Sequence, residues 1–243
     1  MFKTFFIFVF ILVSVLFIFS KSDLSSDIIK TDKSDLSITF IGHGSLLFNY
    51  DNKNIYIDPY SKLYDYSQLP KADLILITHE HGDHLDQNAI NILKTDKTQV
   101  IINESGYNIL KYGQVMKNGD KKNIFRINIE AVPSYNIVNK RPNGVPFHPE
   151  GMGNGYIIAF SNKKVYIAGD TENIPYMNSL KDIDIAFLPV NLPYTMTIEM
   201  AYLAVTTIKP NIFYPYHFGE TDIQLLVKMI KDKNIEVRIR NMK

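Results

Sequence analysis

The order of β-prone and helix-prone runs along this 243-residue chain predicts an α+β layered sandwich. Three observations carry the prediction. Short alternating apolar runs open each half of the chain with no helical periodicity between them, as a meander of antiparallel strands requires. Similar runs then alternate with helix-length segments, the pattern of strands joined by helical crossovers. Finally, an apolar run ends three times in a metal-type side chain: Ile77-Thr78-His79, Ile167-Ala168-Gly169-Asp170 and Tyr214-Pro215-Tyr216-His217. Ligands offered from strand ends into one cleft are how a rigid scaffold builds a site.

Near the start of the chain, Lys3 precedes an apolar run, 5–19, interrupted only by Ser14. A basic start, an apolar middle and a polar exit at Ser20-Lys21-Ser22-Asp23 describe a signal peptide. The run is also close to the length of a membrane span, and no A-x-A cleavage pattern follows it, so a retained anchor is the alternative. Either reading of residues 1–20 places the protein as exported or membrane-anchored, with its catalytic part outside the cytoplasm. Residues 21–35, rich in Ser, Asp and Lys, read as a polar tether. The folded domain is expected over 36–243.

Within it, the runs 36–41, 46–50 and 54–58 form a meander, broken by Gly42-His43-Gly44 and Asp51-Asn52. A buried strand at 74–78 precedes a helix at 87–93, a strand at 100–102 and a short helix at 107–112. Ile124, Ile127 and Ile129 alternate with polar residues, so 124–132 reads as one strand. The segment 133–154 reads as loop, with four prolines and several glycines. Strands return at 156–160, 165–168 and 186–190. Helices at 197–208 and 223–231 bracket a strand at 212–214, and 236–239 closes the chain. No internal repeat is visible in the residues.

Composition narrows the function classes. The chain is 46% hydrophobic and 21% charged, with net charge +1, so no basic field points to a nucleic-acid partner. It has no cysteine, which rules out disulfides and thiolate metal sites. Its strongest signal is Thr78-His79-Glu80-His81-Gly82-Asp83-His84, which holds three of the six histidines. Neutral imidazole and carboxylate are ordinary ligands of zinc and similar ions. Side chains at i and i+2 of an extended segment point the same way, so His79 and His81 can grip one ion. Asp83 and His84, where the chain turns toward a helix, point to a second. The glycine-rich 151–155 is not a phosphate loop, because a strand follows it and no Lys-Ser/Thr is present. A flexible loop at the cleft rim fits it better. Asn191 and Tyr194, in the loop after another strand, and Tyr135 are candidates to line a partly apolar substrate pocket.

His79-x-His81-x-Asp83-His84, followed by Asp170 and His217, resembles the metallo-β-lactamase superfamily. Gly42-His43-Gly44-Ser45, Ile57-Asp58-Pro59 and Gly169-Asp170-Thr171 are similar to the branch that holds ascorbate-6-phosphate lactonase and N-acylphosphatidylethanolamine phospholipase D. The resemblance covers residues 36–243. It implies a four-layer αββα sandwich with two divalent ions, zinc first and manganese or iron as alternatives, at one edge of the sheets. It further implies His79 and His81 on the first ion, Asp83, His84 and His217 on the second, and Asp170 bridging both. A hydroxide between the ions would be the nucleophile, which makes Asp83 and Asp170 the catalytic carboxylates.

The family's third ligand to the first ion is a histidine just after the strand that ends here near Val132, where this chain has Asn136. Two explanations compete: His148 swings in from the following loop, or the first site is weak and one tight ion suffices. The first is favoured, since His148 otherwise has no role. Asp58 is a candidate to brace a ligand histidine, and His43 a second polar candidate near the cleft. The resulting expectation is a hydrolase cleaving a phosphodiester, ester or lactone bond in a small-molecule or lipid-like substrate. The competing expectation is a non-catalytic metal-binding or ligand-sensing protein at a membrane surface, held there by residues 5–19.

Overall fold

The computed structural model describes residues 24–231 and 233–243. Their strands form two seven-stranded mixed sheets. In the first, β1 (Ser26–Ile29), β2 (Leu36–Gly42), β3 (Ser45–Tyr50) and β4 (Lys53–Ile57) run as an antiparallel meander. β5 (Leu74–Leu76), β6 (Gln99–Ile102) and β7 (Gln114–Val115) extend it in parallel. Between them lie a 3-10 turn (Tyr66–Gln68), α1 (Gln87–Leu93) and α2 (Glu104–Leu110). The second sheet follows the same plan. β8 (Lys121–Ile124), β9 (Ile127–Ser134), β10 (Gly153–Phe160) and β11 (Lys163–Ile167) are antiparallel neighbours. β12 (Ile185–Pro189), β13 (Ile212–Tyr216) and β14 (Glu236–Val237) follow in parallel. Here too a 3-10 turn (Pro175–Ser179), α3 (Ile198–Ile208) and α4 (Gln224–Ile230) fill the crossovers. The molecule is therefore a topological duplication, invisible in the residues because strand packing asks only for apolar side chains at alternate positions.

That alternation sorts each strand of the first sheet between two cores. Leu36, Ile38, Phe40, Phe48, Ile55, Ile57, Leu74 and Leu76 face the second sheet and share its core with Ile129, Tyr156, Ile158 and Phe160. Phe48 meets Phe160 at 5.5 Å and Phe40 meets Tyr214 at 5.1 Å between ring centroids, which ties the two sheets together. Their neighbours Ile41, Leu47, Tyr56, Ile75 and Ile77 face outward and are covered by Ala89, Ile90 and Leu93 of α1. On the other side α3 packs against β12 and α4. Burial of each large apolar side chain is worth about 1.5–3 kcal/mol, so these layers dominate stability.

Several expectations change. The stretch read as a tether contains, from Ser26 on, the edge strand β1, anchored by Asp27. Tyr214 Oη, Arg238 and Arg240 all donate to its carboxylate, with Arg240 Nη2 2.7 Å from Oδ1. The strand expected over 124–132 is a tight hairpin, with Ile124 paired to Ile127 and positive φ at Phe125 and Arg126. Neither residue is a turn former, so the sequence hid it. The loop 133–154 is shorter than expected, since β9 runs to Ser134 and β10 starts at Gly153. The glycine-rich segment is thus partly strand. A Cβ on Gly155 would meet Ile167 O at 2.8 Å, so glycine is needed for close strand approach rather than for flexibility. Helix α2 starts at Glu104 because Asn103 caps it, accepting from Gly106 N at 3.1 Å. The short β7 had no sequence signal, and the last strand ends at Val237. The apolar run 5–19 lies outside the described residues. Among those described, no helix is long and apolar enough to cross a membrane.

Candidate metal centre

All six histidines of the chain meet at one edge of the sandwich, where strands of both sheets end. The turn after β5 brings His79, His81, Asp83 and His84, and Asp86 closes that turn by capping α1 through the N–H groups of Asn88 and Ala89. Asp170 follows β11 and His217 follows β13. His217 N donates to His43 O at 3.1 Å, which pins the β2–β3 turn to the second sheet.

The side chains form two groups around Asp170. In the first, His81 Nδ1 lies 3.1 Å from His79 Nε2 and 3.2 Å from His148 Nε2. The third imidazole beside His79 and His81 is that of His148, and Asn136 stands behind it. In the second, His84, His217, Asp83 and His43 offer ligand atoms within 4.8 Å of one another. Asp170 stands between: Oδ2 is 3.3 Å from His148 Nε2 and 3.4 Å from His217 Nε2, while Oδ1 is 3.5 Å from His84 Nε2. His43 Nε2 sits 3.0 Å from Asp83 Oδ2 and its ring lies 3.7 Å from that of His217, so it joins the second group more intimately than expected.

The imidazoles are held from behind. His84 Nδ1 donates to Asp58 Oδ2 at 2.8 Å. The Thr78 hydroxyl accepts from His79 Nδ1 at 3.0 Å and donates to Asp58 Oδ2 at 2.6 Å. Asp58 also accepts from Thr78 N at 2.7 Å, so one buried carboxylate fixes the tautomer of two histidines and leaves both Nε2 atoms free to ligate. On the opposite wall His148 Nδ1 donates to Asn136 Oδ1 at 2.7 Å, and His148 N donates to the same oxygen at 2.9 Å. Asn136 is in turn held by Glu172 Oε1 at 3.2 Å and Tyr194 O at 2.9 Å. Glu172, 1% exposed, accepts four hydrogen bonds in all, from Asn136 Nδ2 and from Ile137 N, Val138 N and Asn139 N. A Cβ on Gly44 would meet His84 Cε1 at 2.9 Å, so glycine there leaves room for the ring.

The electrostatics suit cations. Burial opposes charge on Asp170, yet His217, His84, His148 and His79 around it hold its carboxyl well below the usual range. Burial also works against the His84 imidazolium, but Asp170, Asp58 and Asp83 outweigh it and push the ring up to about 10. His79, buried and facing His84, is held well below its ordinary value. A site with anionic carboxylates and crowded imidazoles binds protons or metal ions in competition. Three buried atoms of the centre, Asp170 Oδ1, His84 Nε2 and His217 Nε2, have no hydrogen-bond partner, and the first two lie 3.5 Å apart. Each such atom costs about 1–3 kcal/mol if nothing satisfies it. The donor set of imidazoles and carboxylates fits divalent ions of the zinc type.

A cavity of about 470 Å³ opens over the centre, lined by Asn191 and Tyr194 as expected and also by Arg141 and Phe147. Asn191 lies 3.4 Å from His217 Nδ1. Tyr135 is a correction: its backbone pairs with Thr171 and Glu172, and its ring packs against the main core rather than lining the cavity. Sequence reasoning missed Glu172, Arg141 and Phe147. Glu172 could have been suspected only from its place directly after Asp170-Thr171, since no residue near it in sequence hints at a buried anion.

A sequence profile of the β-lactamase superfamily domain matches residues 37–217. A crystal structure from Parabacteroides distasonis, named as a candidate metal-dependent hydrolase, is 50% identical with a TM-score of 0.88, over 91% of this chain and 100% of that one. Igni18, a metallo hydrolase from Ignicoccus hospitalis, is 26% identical with a TM-score of 0.70, over 84% and 94% of the two chains. A metal-dependent hydrolase of the UPF0173 family from Nanoarchaeum equitans is 29% identical over 224 residues, 85% of this chain and 97% of that protein.

Proposed function

The chain belongs to the metallo-β-lactamase superfamily, and on that footing we propose that it is a metal-dependent hydrolase that cleaves a phosphodiester, ester or lactone bond at a two-ion centre. The observation that carries the reading is Asp170: one buried carboxylate faces two ligand groups, with an orphaned oxygen turned to one of them. His79 Nε2, His81 Nδ1 and His148 Nε2 would hold one ion, and Asp83, His84 and His217 the other, with Asp170 shared. Zinc suits these ligands best, and manganese or iron would also fit. Such ions lower the pKa of water toward 7 and polarise the oxygen of the group under attack.

The protein's own part is orientation and exclusion of bulk water. Asp58, through Thr78, keeps the Nδ1 protons of His84 and His79 in place, and Asn136 does the same for His148. The near-complete burial of His79, His84, His148, Asp170 and His217 leaves the cavity as the approach for substrate. The missing third histidine near Val132 is one motive for the non-catalytic alternative, and the position of His148 beside His81 weighs against it. The apolar run 5–19 supports an exported or membrane-anchored enzyme acting on a small-molecule or lipid-like substrate.

The test is turnover of bis(4-nitrophenyl) phosphate and of a lactone panel by metal-loaded protein, with Asp170→Ala as control. Turnover no higher than the control for both classes would refute the hydrolase reading. Metal analysis showing no more than one ion per chain would refute the two-ion centre.

A further inference from the structure

The arm that delivers His148 to the centre is a small hydrogen-bonded hairpin. Arg141 N donates to Val145 O at 2.8 Å, Gly144 N donates to Arg141 O at 2.8 Å, and Lys140 bridges to Pro146. Its base is clamped by Glu172 through the N–H groups of residues 137–139. On this braced arm Arg141 turns toward the cavity rather than to solvent alone. Its Nη2 lies 3.3 Å from Phe147 O and 3.4 Å from His81 Nε2, and its guanidinium carbon is 5.1 Å from the Phe147 ring centroid. The cavity carboxylates Asp83 and Asp170 are paired with histidines, and Arg141 has no carboxylate partner among the described residues.

A guanidinium carries five N–H donors, and the protein supplies one carbonyl oxygen here. The imidazole contact would be lost if His81 ligated an ion. His81 turns Nδ1 to its fellow ligands, so ligation there leaves the ring proton on Nε2. Arg141 then faces a donor and needs an acceptor from elsewhere. Phe147, stacked under the guanidinium, meets Tyr194 edge-on at 5.1 Å, which gives the same wall an apolar face.

We infer that Arg141 reads an anionic group, a carboxylate or phosphate, on the substrate, while Phe147 and Tyr194 seat an apolar portion beside it. The inference rests on the hydrolase reading and narrows its substrates to amphiphilic anions. A planar fork over an aromatic ring matches such groups in bidentate fashion, which lysine cannot do.

The test uses the metal-loaded full chain as wild type, Arg141→Gln and Arg141→Lys. Calorimetric titration with phenylphosphonate is expected to show binding weakened roughly tenfold in Arg141→Gln and partly recovered in Arg141→Lys. In parallel, KM for mono(4-nitrophenyl) succinate should rise roughly tenfold more than KM for the neutral 4-nitrophenyl acetate. Equal phenylphosphonate affinity in wild type and Arg141→Gln, or equal KM changes for both esters, would overturn the assignment. So would a lowered unfolding midpoint in Arg141→Gln with no recovery of affinity in Arg141→Lys, the signature of a structural staple. If the wild type turns over no ester, lactone or phosphodiester, the hydrolase reading fails by itself, and the calorimetric comparison still decides Arg141.

Discussion

Replacing Glu172 by Gln tests how the arm carrying His148 is held. Oε1 accepts from Asn136 Nδ2 at 3.2 Å and Asn139 N at 2.6 Å, and Oε2 accepts from Ile137 N and Val138 N, each at 2.8 Å. Glutamine has one acceptor oxygen, so either rotamer sets an NH2 group against two N–H donors. Two lost bonds at about 1–3 kcal/mol per unsatisfied donor give roughly 2–6 kcal/mol. Ile137 and Val138 are 46% and 65% exposed, so the segment that carries these donors has room to relax. The low end, about 2 kcal/mol, is therefore expected. Urea unfolding of the metal-free protein reads this as a lowered midpoint with unchanged m. A second effect follows in either rotamer, because the arm behind His148 is loosened: loss of a brace behind a ligand histidine costs about 10–100-fold in metal affinity. Competition with a chelator should show one ion weakened and the other little changed. A variant with the wild-type midpoint and wild-type affinity for both ions would refute the account of this arm.

Other outcomes follow from the same geometry. His148→Ala should lower metal content from two ions to one per chain, as measured by elemental analysis; unchanged content and activity would remove His148 from the centre. Asp58→Asn leaves both His84 and Thr78 without their anionic acceptor, and metal affinity by chelator competition should fall by about 10–100-fold. Asp27 concerns stability rather than catalysis. Burial opposes its charge, but Tyr214, Arg240 and Arg238 hold the carboxyl below its ordinary value. A lowered folded pKa means stability that is present above the unfolded value and lost as pH falls through the folded one. Asp27→Asn should therefore be less stable than wild type by about 1–2 kcal/mol near pH 7, with the gap closing below about pH 4. A gap that is constant from neutral to acid pH would contradict the ion-pair account.

The parts of this protein legible in its sequence are those encoded over a few residues. Period-two alternation located most strands, and Asp86 and Thr197 at the starts of α1 and α3 are ordinary caps. The i, i+2 spacing put His79 and His81 side by side, and the strand-end pattern tied Asp170 and His217 to them. Features that depend on distant partners were not legible. Strand β1 pairs with β2 and is anchored through Asp27 by arginines more than two hundred residues away. The hairpin at Phe125-Arg126 forms against the turn chemistry of its own residues, because β8 and β9 pair along their lengths. Asn136 stands where a ligand was expected, and its role as the brace behind His148 follows from a loop path that no local pattern records.

The sequence by itself pointed to a candidate metal centre and to where its densest part lies, since histidines two apart on an extended segment and an aspartate at a strand end are ligand-type side chains whatever their exact distances. Tertiary structure alone decided how the centre is completed and held. It chose His148 over Asn136, drew His43 into the second group, and buried Glu172 under the arm. The reason is physical: ligand type is a property of a single residue, whereas the third ligand, the orienting hydrogen bond and the buried counter-charge are properties of how two sheets bring remote strand ends together.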